Sequence, residues 1–218
     1  MQEGTGMTDN IEVFRHNSIG IRSSLGMIYA DPFKMTAEPG DAAFILITHD
    51  HYDHFSPDDI AKAAGKDTVL VVPEKMEKKA GGVKDLVAAI VTVKPGESRV
   101  INGLELETVA SYNIMKPFHP KSAGWVGYIL NLDGKRIYIA GDTDATKEAA
   151  EVKCDIAIVP IGGTYTMDAK KAAELINTMQ PEVAIPVHYG DIVGKPSDGE
   201  EFAKYVKDPV RVELKIRF

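Results

Sequence analysis

The segment His49-Asp-His51-Tyr-Asp53-His54 places three of the chain's 6 histidines beside a carboxylate within a few residues. Random placement makes such a cluster a rare event, and a chemical purpose for it is available. Imidazole nitrogen and carboxylate oxygen are good ligands for zinc, iron or manganese. Four donors this close would crowd one ion, but two ions can share them. The cluster follows Phe44-Ile-Leu-Ile-Thr48, an apolar run that reads as a strand entering the core. Ligands at a strand end are held by a rigid element yet stay open to solvent and substrate.

The same design recurs twice. Arg136-Ile-Tyr-Ile-Ala-Gly-Asp142 is an apolar run ending in an acid, and Val183-Ala-Ile-Pro-Val-His188 is one ending in a histidine. Either alone would pass for a turn residue. His119, in Phe118-His-Pro-Lys121, would alone pass for a surface histidine. Together they complete the series His49, His51, Asp53, His54, His119, Asp142 and His188. Lys121, two residues from His119, is a candidate for binding an anionic substrate. Tyr165, after the run ending at Pro160, is a candidate donor to a substrate oxygen. Trp125, the only tryptophan, reads as core.

The positioning elements are short Val- and Ile-rich runs bounded by Gly, Pro, Asn and Asp. Strands are expected at Ile11–Phe14, Ile19–Arg22, Met27–Tyr29, Phe44–Thr48, Val69–Val72, Ile90–Val93 and Leu104–Val109. Further strands are expected at Gly127–Asn131, Arg136–Ala140, Ile156–Val159, Val183–Val187 and Arg211–Ile216. Asn131-Leu-Asp-Gly134 reads as a hairpin turn. Ser56 can cap a helix beginning at Pro57, with Asp58 and Asp59 favourable at its positive end. Lys75–Ala80 is a second helix candidate, closed by Gly81. Asp168–Met179 is a third, with Ala169, Ala172, Ala173 and Ile176 on one face and Pro181 beyond its end. Helices on largely antiparallel sheet predict a layered α/β sandwich.

Composition narrows the function. The chain has 218 residues with a formal charge of −7 and 44% hydrophobic content. That fits one domain over 8–218 behind a flexible, glycine-rich leader at 1–7. The net charge disfavours binding to nucleic-acid backbones and anionic membranes. No apolar run approaches the ~18 residues of a membrane span, and the leader lacks the features of a signal peptide. Cys154 is the single cysteine, so no intramolecular disulfide forms. A cytoplasmic location is expected.

The order and spacing of the ligand candidates resemble the metallo-β-lactamase superfamily of dinuclear metal hydrolases. The wording is similar to the branch that includes the ascorbate-phosphate lactonase. The similar segments are Asp31-Pro-Phe33, Thr48-His-Asp-His-Tyr-Asp-His54, Gly141-Asp-Thr-Asp144, Pro160-Ile-Gly-Gly163 and Pro186-Val-His-Tyr-Gly190. Tyr112-Asn113 and Gly124-Trp-Val-Gly-Tyr128 add to them. The resemblance implies a four-layer αββα sandwich with the metals at one edge of the two packed sheets. It implies that His49, His51 and His119 hold one metal, that Asp53, His54 and His188 hold the second, and that Asp142 bridges. It also implies that Asp31 hydrogen-bonds a ligand histidine, and that His16 opens the N-terminal strand pair in a hydrogen-bonded structural role.

Metal binding lowers the pKa of water from about 15.7 toward roughly 7, so hydroxide forms at neutral pH without a separate base. Counting two divalent ions, two carboxylates and one hydroxide leaves the site at about +1, favourable to an anion or to developing negative charge. The expected function is therefore hydrolysis of a small, anionic ester, lactone or phosphodiester. Two divalent ions are expected, zinc first and manganese or iron as alternatives, with Asp53 orienting the nucleophile. A homo-oligomer is compatible with the sequence. The rival functions are an iron-dependent oxidoreductase resembling sulfur dioxygenases, a nuclease, and a non-catalytic metal-binding protein.

Overall fold

Burial alternates along the strands and sorts their side chains between two cores. In the computed structural model, which describes residues 6–218, Ile28, Phe44, Leu46, Val69 and Val71 face one core. Their neighbours Tyr29, Ile45, Ile47, Leu70 and Val72 face the other. This two-residue period is the geometry of a strand buried on both faces.

One sheet has 6 strands in sequence order: β1 (Ile11–Arg15), β2 (Ser18–Ser23), β3 (Gly26–Ala30), β4 (Ala42–Leu46), β5 (Ala64–Pro73) and β6 (Ala89–Val93). The other has 7 strands, also in sequence order: β7 (Ser98–Ile101), β8 (Leu104–Ala110), β9 (Val126–Leu132), β10 (Lys135–Ile139), β11 (Ile156–Pro160), β12 (Val183–Val187) and β13 (Arg211–Val212). Helices α1 (Pro57–Ala63) and α2 (Glu77–Ala80) cover the smaller core on the first sheet. Helices α3 (Lys147–Ala150), α4 (Ala169–Met179) and α5 (Asp198–Tyr205) belong to the second sheet's half. The result is the αββα sandwich.

The expectation of a largely antiparallel sheet is corrected. Pairing is antiparallel from β1 to β3 and from β7 to β10, but parallel from β3 to β6 and from β10 to β13. Consecutive parallel strands need a crossover connection, here mostly helical, whereas a two-residue turn joins only antiparallel neighbours. The turn between β9 and β10 is of the second kind, with Asp133 at φ 50 and Gly134 at φ 78.

Ser56 accepts from the Asp59 amide as the cap of α1, and Asp168 caps α4 through the Lys171 amide. The expected helix at Lys75–Ala80 is split into a 3₁₀ turn at Glu74–Met76 and then α2. Gly81 stays right-handed and leads into another 3₁₀ segment, so it does not close the helix. The expected strand Arg211–Ile216 pairs only over Arg211–Val212. Strand β7 and helices α3 and α5 were not expected. Residues 1–5 of the expected leader lie outside the described residues, whereas Met7 packs against the main core. Among the described residues, no helix is long and apolar enough to cross a membrane.

Candidate metal centre

Every expected ligand but His119 follows a strand end on one edge of the sandwich. His49, His51, Asp53 and His54 follow β4, Asp142 follows β10, and His188 follows β12. His119 comes from the long loop between β8 and β9. Two glycines hold these strand ends close together. Gly141 is left-handed at φ +64, and an added Cβ there would meet the Thr48 Cβ at 2.9 Å. At Gly162, an added Cβ would run into the His188 carbonyl oxygen.

The structure brings all seven together, buried except for the half-buried His51. His49, His51 and His119 form one set whose ligand atoms lie within 4.8 Å of one another. The Nε2 atoms of His49 and His119 are 3.2 Å apart. Asp142 lies at the centre: its Oδ2 is 3.1 Å from His188 Nε2 and 3.5 Å from His119 Nε2, and its Oδ1 is 3.3 Å from His54 Nε2. Asp53 Oδ2 is 3.5 Å from His188 Nε2 and 3.6 Å from His54 Nε2.

Three of the outward ring nitrogens, those of His49, His54 and His119, have partners, whereas buried His188 Nδ1 has none. His54 Nδ1 donates to Asp31 Oδ2 at 2.7 Å, and His119 Nδ1 lies 3.3 Å from Asn113 Oδ1. His49 Nδ1 is 3.0 Å from Thr48 Oγ1, which in turn donates to Asp31 Oδ2. A proton fixed on Nδ1 leaves the Nε2 lone pair facing inward, the tautomer that binds metal. Asp31 thus holds His54 directly and His49 through Thr48. His16, fully buried, places Nε2 3.3 Å from Asp53 Oδ2, and its ring lies 3.9 Å from that of His188, tilted by 41°. It is therefore part of the cluster, and His16 Nε2, Asp53 and His188 form a further set of mutually close ligand atoms. His16, Asp31 and His188 all have positive φ, at 56, 46 and 61. For residues other than glycine this is a strained backbone of the kind found at functional sites.

A metal fits this donor set on two counts. Buried His54 Nε2, His188 Nε2 and Asp142 Oδ1 have no hydrogen-bond partner, which is costly unless something else satisfies them. Both carboxylates and three of the histidines are also in the ionisation state that ligands require. Burial pushes His49, His51 and His119 down, His119 to about 4, so these rings are neutral near pH 7. Burial opposes charge on His54 too, but Asp142 and Asp31 outweigh it and hold the ring well above its ordinary value. The same contest, with Asp142 and Asp53, lifts His188 to about 8. Burial favours a neutral Asp142, yet His188 and His54 overcome it and keep the carboxylate ionised. Asp53 is likewise held ionised against burial by His16 and His188. Without metal, protons on His54 and His188 neutralise the carboxylates, the role that cations would take over.

A cleft of about 280 Å³ opens over His51, Asp53, Asp142 and His188, walled by Tyr52, Phe118, Tyr165 and Ile192. Tyr165 thus lies on the cleft. Lys121 does not: its ammonium pairs with Glu148 and sits 4.8 Å over the Tyr112 ring. Trp125, expected in the core, instead packs its ring 5.0–5.1 Å from those of His49, His51 and His119. The sequence reading assigned no role to Asn17, whose side-chain amide donates to the Asp53 carbonyl at 3.0 Å, nor to Thr48 or Asn113. Asn17 and Thr48 adjoin His16 and His49, and a polar neighbour is the one sequence signal that marks them. Tyr52 and Phe118 adjoin His51 and His119 in the same way, whereas Ile192 carries no such signal.

The family model described as a beta-lactamase superfamily domain matches residues 10–188. A UPF0173 metal-dependent hydrolase from Methanosphaera stadtmanae is 32% identical over 220 residues, covering 92% of this chain and 92% of that protein. A crystal structure from Parabacteroides distasonis, provisionally assigned as a metal-dependent hydrolase, superposes with a TM-score of 0.80 at 30% identity, covering 95% of this chain and 93% of that one. CmlA, a diiron beta-hydroxylase from Streptomyces venezuelae, shares the fold at a TM-score of 0.70 and 14% identity, over 94% of this chain and 52% of its own. The ligand set, the strand ends that carry it and these matches agree: the chain belongs to the metallo-β-lactamase superfamily and is a metal-dependent hydrolase.

Proposed function

We propose that the protein hydrolyses a small ester, lactone or phosphodiester at a two-metal centre held by His49, His51 and His119 on one side and Asp53, His54 and His188 on the other, with Asp142 between. The observation that carries this is the convergence of unpartnered, buried His54 Nε2, His188 Nε2 and Asp142 Oδ1 beneath an open cleft. Two divalent ions, zinc first and manganese or iron next, would supply Lewis acidity and lower the pKa of water toward roughly 7. Asp53 is the residue that orients the nucleophile, because it is ionised, lines the cleft and is fixed from behind by His16. Asp31 holds the His54 ring in the ligand tautomer. The site charge of about +1 favours an anionic group or an oxyanion at the reacting centre. The similarity of the motif wording to the lactonase-containing branch supports a cyclic ester among these substrates. The cleft lies just under the roughly 300 Å³ at which drug-sized pockets begin, which supports a small molecule as partner.

The test is a screen of metal-quantified protein against lactones, thioesters and phosphodiesters. Turnover that tracks metal content is expected, and no turnover across the panel would refute the reading. A second reading, iron-dependent oxidation, is favoured by one observation: the same fold serves a diiron hydroxylase. Oxygen consumption by iron-loaded protein, with no hydrolysis, would support it instead.

A further inference from the structure

We infer that the substrate carries an apolar substituent, aryl or short alkyl, beside the scissile bond, and that Tyr52, Phe118, Tyr165 and Ile192 hold it. This rests on the metal-centre reading above and deepens it. Apart from the metal-ligand candidates, the cleft is walled by these four side chains, three aromatic and one aliphatic. They come from four separate loops, yet converge on one opening of about 280 Å³. Tyr52, Phe118 and Tyr165 remain 67%, 42% and 37% exposed, so the protein itself does not bury them. Their rings are nevertheless braced. Phe118 meets Tyr165 edge-on at 4.8 Å, and Tyr52 meets Phe33 edge-on at 6.0 Å. Ordered, solvent-facing aromatic surface beside a polar reacting centre is the composition of a small-molecule site, with a few polar groups for orientation and an apolar wall for affinity.

The cations point the same way. Among the described residues, no lysine or arginine lines the cleft. Lys116 and Lys121 share a loop with Phe118, but Lys116 pairs with Asp144 at 2.8 Å and Lys121 with Glu148. Lys34 and Arg15 both pair with Asp191, the neighbour of Ile192, at 3.0 and 2.8 Å. An anionic group would therefore meet positive charge only at the metal centre, and a phosphate on the substituent would find no cationic partner along the wall. Tyr165 contributes its ring to this wall.

Acetate, 4-hydroxybutyrate and phenylacetate offer the metals the same single carboxylate and differ in what meets the wall. Their affinities for zinc-loaded protein can be read from the fluorescence of Trp125, which packs on three ligand rings, and by calorimetry. Phenylacetate should bind at least ~10-fold more tightly than either competitor, the discrimination a modest apolar contact supplies. Tyr165→Ser and Ile192→Ser should each shrink that ratio while leaving acetate affinity and metal content unchanged. A second arm compares hydrolysis of phenyl- and hydroxymethyl-substituted lactones, with the phenyl preference expected in KM. 4-Hydroxybutyrate binding as tightly as phenylacetate, or a ratio that survives both substitutions, would overturn the inference. No turnover of either lactone with the binding ratio intact would count against hydrolysis and for the wall.

Discussion

Asp31 touches no candidate metal position, yet three donors depend on it. Its Oδ2 accepts from His54 Nδ1 and Thr48 Oγ1, and its Oδ1 accepts from the Thr48 amide at 2.8 Å. Asp31→Asn turns an NH₂ toward one of these donors and removes the charge that fixes the ring. Loss of such a partner costs about 10–100-fold in metal affinity, which metal analysis after graded dialysis should show. Asp142→Asn removes a ligand charge at the centre. One of two metal equivalents should be lost and activity should fall at least ~100-fold, with the circular dichroism of the fold retained. Lys121→Ala is the contrast, because its exposed pair with Glu148 lies off the cleft and metal content should not change. The histidines also set a pH dependence. His188 is raised to about 8 above its ordinary 6.5, so its protonated form stabilises the metal-free fold fully below pH 6.5, a contribution lost as pH rises through about 8. A metal must displace that proton. The gain in Tm on adding zinc should therefore grow from pH 6 to pH 8, and calorimetry should detect proton release on binding; a gain that shrinks over that range would contradict the assignment.

Turns and strand ends decide where these side chains arrive. Gly162 leaves room for His188, and Gly162→Ala would force a Cβ into the His188 carbonyl and the Val193 side chain. Overpacking of this kind costs roughly 1–3 kcal/mol, a fall of roughly 2–12 °C in Tm for a chain of this length, together with weaker retention of metal. How much the sequence discloses follows the same division. His49, His51, Asp53 and His54 are legible because they are contiguous, and Asp142 and His188 because each ends an apolar run. Strand positions are legible from Val and Ile content, but strand direction is not: the same runs suit parallel and antiparallel neighbours, and the intervening helices decide. Helix α3 has only 4 residues, and α5 buries only Gly199 and Phe202, so neither shows an apolar stripe. The contact of Trp125 with the histidines, and the wall of Tyr52, Phe118, Tyr165 and Ile192, arise from loops far apart in the chain. No local pattern encodes that meeting.

At the scale of the molecule, all 6 histidines gather at one edge, with donors from both sheets. Metal uptake should saturate near two equivalents, and saturation at one under excess zinc and manganese would exclude the two-metal centre. At ~1,000 times its Kd a bound metal adds about 4 kcal/mol to stability, so chelation should lower Tm by roughly 8–16 °C. The opposite edge is built differently. There the turns at Ser24-Leu25, Gly103 and Asp133-Gly134 lie together, and the Ser24 amide donates to Asp133 Oδ2 at 3.1 Å across the two sheets. No candidate ligand reaches that edge, and an added Cβ at Gly134 would meet nothing within 4 Å. The molecule therefore has a working end and a handle. A dye, a resin linkage or a fused peptide placed at the Asp133-Gly134 turn would orient every copy with its cleft toward solution, the arrangement an immobilised catalyst or an electrode-bound sensor needs.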